Sequence, residues 1–184
     1  MKPKLLIVTG SPFKFEDLSL RLSEYFECEQ REWNEPEIQG TPEEIIIHKL
    51  QTAYKKFKEP VLVDDVSVSI ADLNGFPGPY MKDFWKCFTP YEMGHKFAGS
   101  RISATCYLGL CRREGDYTIA DGTFEGTIIA PKDKDHKGRQ FELFVVLDGT
   151  DKPMLEYSVE EKNIIGHRGK AMKKLLEILK NEKK

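Results

Sequence analysis

The sequence lacks an excess of either charge. Its 28 lysines and arginines stand against 30 aspartates and glutamates, a formal net charge of -2. A surface that grips a nucleic-acid backbone carries a basic surplus, so the balance argues against a general nucleic-acid binder, while leaving room for a locally basic pocket. Cysteine is scarce: Cys28, Cys87, Cys106 and Cys111 form no CxxC pair and no Cys/His spacing of a zinc site. They read as reduced thiols of a cytosolic protein. No apolar run is long enough to span a membrane. The run Leu5 to Val8 is too short for a signal peptide and reads as a strand. Internal repeats, low-complexity tracts and long linkers are missing too. What is present is a chain of 184 residues, 40% hydrophobic and 32% charged, which is enough to bury a core without disulfide or metal staples. It reads as a single domain, 1–184.

Leu5 to Val8 has the unbroken hydrophobicity of a strand covered on both faces and ends in Thr9-Gly10-Ser11-Pro12. Phe15, Leu18, Leu22, Tyr25 and Phe26 then fall on one helical stripe. Thr41-Pro42-Glu43-Glu44 carries an N-cap, a first-position proline and a capping-box glutamate, so a second helix starts there, with Ile46, Leu50, Ala53 and Phe57 inward and Pro60 as its stop. Val61-Leu62-Val63 predicts a buried strand ending at Asp64-Asp65. Asn74 to Pro79 is a constrained Gly/Pro loop. Tyr80 to Ala98 reads as mostly helical and Ile102 to Cys111 as a strand. Tyr117 to Ala130 reads as two strand-like runs around an Asp121-Gly122 turn. Phe141 to Leu147 reads as a further strand. A last helix is predicted from about His167, with Met172, Leu175, Leu176 and Leu179 inward. Early alternation of strands and helices, with strands clustered later, gives an α/β fold with a mixed sheet flanked by helices.

Four segments could carry chemistry. Thr9 to Lys14 lies between a strand and a helix, where free backbone N–H groups and the positive end of the helix dipole favour phosphate. Gly10 permits close approach, Thr9 and Ser11 offer hydroxyls, and Lys14 offers a charge. The GK[ST] ending of a Walker A loop is absent, and an ordinary capped turn would look the same. Asp64-Asp65 follows a buried strand, where adjacent acids need a cation or a hydrogen-bond network. Magnesium takes one or two carboxylates and fills its remaining positions with water and phosphate. Glu37, within Pro36 to Gly40, is by itself more typical of solvated surface. Lys162, His167 and Arg168 could bind an anion or a purine edge, although a basic surface run is the commoner meaning of such a segment.

In this order and at these spacings the segments resemble the inosine triphosphate pyrophosphatase family. Thr9-Gly10-Ser11-Pro12-Phe13-Lys14 is similar to its opening Thr-Gly-Asn-x-x-Lys. Pro36-Glu37-Ile38-Gln39-Gly40 is similar to its metal-glutamate loop, Val61 to Asp65 to its acidic strand, and Gly75 to Tyr80 to its Gly-Pro loop. Gly126 to Pro131 also fits. Glu161-Lys162-Asn163 with His167-Arg168 is similar to its closing Glu-Lys-Asn-x-x-Ser-His-Arg. The resemblance covers nearly the whole chain. It implies an elongated α/β fold with two lobes around a central cleft, and a homodimer; the charge balance, the reduced thiols and the missing apolar spans add a cytoplasmic enzyme with no membrane or nucleic-acid partner. The resemblance also implies magnesium-dependent hydrolysis of ITP, dITP and XTP to monophosphate and pyrophosphate, and leaves open whether manganese can replace magnesium. By position, Thr9, Gly10, Ser11, Lys14, Lys49 and Lys82 would hold the triphosphate, and Glu37 and Asp65 the metal. Asp65, supported by Asp64, would orient or deprotonate the attacking water. Lys162, His167 and Arg168 would surround the base.

Three positions depart from the family. In place of the base-pocket Phe-Gly-Trp/Tyr-Asp-Pro, counting back from Asp148-Gly149 gives Arg139-Gln140-Phe141-Glu142-Leu143. Phe141 would replace the stacking aromatic and Glu142 the aspartate. Ser before His-Arg is Gly166, and Asn after Thr-Gly is Ser11. The altered pocket leaves open a pyrophosphatase of another modified or ordinary nucleotide. Fold alone also leaves open a catalytically silent nucleotide binder.

Overall fold

The computed structural model describes residues 2–33, 36, 38–132 and 142–182. Strand β1 (Lys4–Val8) leads into helix α1 (Pro12–Leu22), capped by Ser11. Strand β2 (Glu27–Arg31) precedes helix α2 (Pro42–Phe57). The capping box of α2 is present as read: Thr41 accepts from the Glu44 N–H, and the Glu44 carboxylate accepts from the Thr41 N–H. The helix ends at Lys58, in left-handed conformation, before Pro60 is reached.

Strand β3 (Val61–Ile70) is longer than the sequence predicts. It passes straight through Asp64-Asp65, because Val68 and Ile70 beyond them are again buried and keep the strand in the core. The two-residue strand β4 (Pro77–Gly78) pairs antiparallel with it at Val68 and Ser69. Tyr80 to Ala98 is two short helices, α3 (Met81–Phe84) and α4 (Pro90–Lys96). They are separate because Thr89 caps a new helix with Pro90 in its first turn. Strands β5 (Arg101–Arg113) and β6 (Asp116–Ile128) are joined through Glu114-Gly115, with Gly115 at φ 81°. Asp121-Gly122 is therefore no turn; it lies inside β6, whose inward face runs Ala120, Gly122, Phe124, Gly126 and Ile128. Of the predicted strand from Phe141 to Leu147, only β7 (Val145–Leu147) is extended; 142–144 form a turn, and Phe141 lies outside the described residues. Helices α5 (Val159–Ile165) and α6 (His167–Glu182) close the chain.

The strands form one seven-stranded sheet in the order β2-β1-β3-β5-β6-β7, with β4 beside β3. β1 is parallel to β2 and β3, whereas β7 is antiparallel to β6, so the sheet is mixed, as expected.

By its internal contacts the chain forms two compact units. The first comprises Met1–Asp65, Cys106–Gly122 and Ala171–Lys184, and the second Val66–Thr105 and Thr123–Lys170. The first unit's core joins Leu6, Val61 and Val63 to Ile46, Leu50 and Ala53 of α2. Gly109 lets α2 come close: a Cβ there would lie 2.7 Å from the Leu50 Cδ1. The second unit's core is aromatic, with Phe84, Phe97, Phe124 and Phe144 packed around Met93 and Ile102. All four cysteines are free thiols. Burial raises the thiol pKa of Cys28 and of Cys111, which favours their protonated form. Among the described residues no helix is long and apolar enough to cross a membrane.

Candidate active site

In the first unit, the parallel pairing Ile7↔Leu62, carried two residues on, brings Thr9 at the end of β1 alongside Asp64. Thr9 is buried, and its Oγ1 accepts from the Ser11 N–H at 3.2 Å. Ser11 Oγ accepts in turn from the Lys14 N–H at 3.4 Å, forming the N-cap of α1. Gln30 of β2 donates to the Thr9 carbonyl at 3.0 Å, and the Thr9 N–H donates to the Arg31 carbonyl at 2.9 Å. The loop is thus fixed from both sides, with Gly10 at its tip and α1 starting behind it.

The two acids divide as strand geometry requires, since successive side chains of a strand point to opposite faces. Asp64, its side chain 4% exposed, faces Lys14 Nζ at 2.8 Å. Asp65, 11% exposed, accepts from Lys49 Nζ at 2.5 Å. Lys49 is placed by α2: it sits one helical turn after Ile46 and one residue before Leu50, both fully buried, so its stem lies along packed surface. Two carboxylates this far out of water are stable because each has an ammonium against it. Five of the predicted residues, Thr9, Gly10, Ser11, Lys14 and Lys49, share this unit with Asp64 and Asp65.

The donor set fits a hard divalent cation. Both acids offer carboxylate oxygens, and magnesium needs only one or two of these besides water and substrate phosphate. Among the described residues no three His, Cys, Asp or Glu side chains converge on one point. Glu37, the other predicted ligand, lies outside the described residues.

The second unit collects the other predicted residues. Lys162 Nζ of α5 donates to Glu142 Oε2 at 2.8 Å, with the side chains 18% and 12% exposed. Ser158 and Glu161 form a capping box that starts α5, a signal the sequence reading passed over. The Glu142 carbonyl accepts from the Leu155 N–H at 2.9 Å, which holds this end of the altered segment in place. His167 opens α6; its ring is buried and meets Phe124 edge-on, with centroids 5.1 Å apart. Arg168 follows it, half-buried. Gly166 explains one departure from the closing motif: a Cβ there would lie 2.5 Å from the Lys162 carbonyl oxygen. Gly169 allows the α5–α6 corner to close, because a Cβ on it would overlap the Asn163 carbonyl. Lys82 is exposed on α3, after the cis Phe76-Pro77 bond of the Gly-Pro loop.

Residues 5–178 match the sequence profile of the Ham1 family. The chain belongs to the Ham1 family. The inosine triphosphate pyrophosphatase of Schizosaccharomyces pombe is 31% identical over 183 residues, covering 97% of this chain and 96% of that protein. The inosine triphosphate pyrophosphatase of Encephalitozoon intestinalis is 36% identical over 146 residues, covering 76% and 74%. Solved structures share the fold. The HAM1 protein of Coxiella burnetii superposes with a TM-score of 0.83 at 24% identity, covering 98% of this chain and all of that one. The dITP/XTP pyrophosphatase of Mycobacterium abscessus gives 0.68 at 22% identity, covering 94% and 98%.

Two residues of the Ham1 chain near Gly10 escape the sequence reading, Gln30 and Glu32. They sit at and just beyond the end of β2, whose sequence Glu-Cys-Glu-Gln-Arg has no apolar alternation to announce a strand. Only the parallel pairing with β1 brings them to the loop.

Proposed function

We propose that this Ham1 protein hydrolyses non-canonical purine nucleoside triphosphates, ITP, dITP and XTP, to monophosphate and pyrophosphate, and so clears them from the nucleotide pool. The observation that carries the reading is the pair of nearly buried, lysine-matched carboxylates, Asp64 and Asp65, on a strand beside a capped helix-entry loop. The likeness to inosine triphosphate pyrophosphatases over nearly the whole chain supports the substrate class.

The residues divide by chemistry. Gly10 presents its N–H and Ser11 its hydroxyl to phosphate oxygens at the entry to α1. Lys14 lies against Asp64 and Lys49 against Asp65, and both supply positive charge against the departing pyrophosphate. Asp65 orients the attacking water and takes its proton, with Asp64 beside it shaping the local charge. Asp65 and Glu37 are the ligands for magnesium, which when bound supplies charge neutralisation and Lewis-acid polarisation of the phosphates. Glu142 and Lys162 pair an acceptor with a donor, a pattern suited to the hydrogen-bonding edge of a 6-oxopurine, and His167 and Arg168 serve the base with them. Lys82 serves the triphosphate. The working protein is a cytoplasmic homodimer.

Product identification tests the reaction. ³¹P NMR of ITP incubated with the protein and Mg²⁺ should show pyrophosphate and monophosphate appearing together. Orthophosphate with the diphosphate would place the cleavage at the wrong bond and contradict the reading.

A further inference from the structure

Around the loop at Gly10, the cations are matched to particular acids. Lys14 lies against Asp64, Lys49 against Asp65, and Arg31 against Glu29. Glu32 adds one more negative charge to this set. Its place is set by backbone: Val8 pairs with Arg31 in the parallel ladder, and the Thr9 N–H donates to the Arg31 carbonyl, so the next residue of the β2 side comes alongside Thr9-Gly10. Its side chain is turned onto the loop. Glu32 Oε1 lies 3.4 Å, and its Cγ 3.6 Å, from the position a Cβ on Gly10 would occupy. The absence of that Cβ is what would let a phosphate approach the backbone, and the carboxylate stands on the same side.

We propose that Glu32 sets the metal requirement of this loop: its carboxylate repels a metal-free polyphosphate and admits one whose charge a divalent cation has already reduced. The proposal rests on the reading of Thr9 to Lys14 as the phosphate loop. Glu32 is a specificity-determining residue in this role and takes no part in bond breaking. Like charges a few ångströms apart at a partly hydrated surface repel enough to change an affinity measurably, and that repulsion fades with salt. A cation already bound to the phosphates reverses most of it.

The test is calorimetric binding of inorganic pyrophosphate to the full chain, in chelator and in excess Mg²⁺, for the parent protein, Glu32→Gln and Glu32→Lys. Glu32 is exposed, so matching thermal melts will confirm that the variants fold alike. In chelator, Glu32→Gln should bind about tenfold tighter than the parent and Glu32→Lys tighter still, with the gap shrinking as salt rises. In excess Mg²⁺ the three should agree within about threefold, because the bound cation offsets the carboxylate's repulsion. Equal affinities in chelator would overturn the proposal. So would weaker magnesium-pyrophosphate binding by Glu32→Gln, which would make Glu32 a cation ligand. Parent protein that binds pyrophosphate under neither condition would instead sink the phosphate-loop reading itself.

Discussion

The first unit fixes its polar groups by backbone pairing, and the second fixes them by helix packing and one ion pair. Thr9, Asp64 and Asp65 sit on adjacent parallel strands, so their spacing follows from the ladder and survives changes of side chain around them. Glu142 sits in a turn, and Lys162, His167 and Arg168 lie on two short-coupled helices whose corner depends on Gly166 and Gly169. The sequence motif is nearly intact in the first region and altered in the second. A triphosphate is the same in every nucleotide, so the groups that meet it have little freedom to change. The groups that meet a base can be rebuilt, and a carboxylate carried one methylene further is such a rebuilding.

Substitutions can break or sharpen this contrast. Asp65→Asn has the largest expected effect: turnover with every nucleotide should fall by at least about a hundredfold, the scale of removing a group that acts on the reacting water. Pyrophosphate-release assays read this, and activity within a few-fold of the parent would remove Asp65 from the chemistry. Gly169→Ala comes next. Its Cβ would overlap the Asn163 carbonyl, a backbone atom that cannot swing away, so urea unfolding should show a loss of about 1–3 kcal/mol. Discrimination between bases should suffer with it, while binding of inorganic pyrophosphate stays as in the parent; equal damage to both would mean that the two regions are not separable.

Glu142→Ala acts within the second region. It leaves the mostly buried Lys162 ammonium without its carboxylate, and kcat/KM ratios among ITP, XTP and GTP should shift by about tenfold, as expected when a hydrogen-bonding group in a selective site is lost. An unchanged ranking would mean that Glu142 does not face the base. The smallest effect concerns Asp148, held by Arg101 through bonds of 2.6 and 2.5 Å. The guanidinium keeps the Asp148 carboxyl below its ordinary pKa. The resulting stability is therefore fully present above the usual carboxylate range and is lost as pH falls through the lowered value. Both groups are exposed, so the gain is slight. Melting temperatures of the parent and Asp148→Asn should differ a little near neutrality and converge at acid pH; a gap that widens in acid would reverse the assignment.

Much of this was legible before the structure. β1, the capping box of α2 and the apolar face of α6 each carry a strong local signature, an apolar run, a cap or a helical spacing, and the structure has all three elements. What was not legible depended on partners distant in sequence. β2 is polar and exists because β1 offers it a parallel edge. Asp121-Gly122 and Glu114-Gly115 look alike as dipeptides, yet only Gly115 takes the positive φ of a turn, while Gly122 is buried inside a long strand. The family motifs pointed to Asp64 and Asp65; that the two face different lysines, and which lysine each meets, needed the fold. Glu37 and Phe141 lie outside the described residues, so their roles rest on resemblance.

The most direct measurement is kcat/KM for pyrophosphate release from ITP, dITP and XTP against ATP, GTP, CTP and UTP, each with Mg²⁺ and with chelator. Metal-dependent release favouring the first three by at least about tenfold is the predicted result, the margin a site with specific hydrogen bonds provides. Release that favours an ordinary nucleotide, or no release from any of them, would contradict it.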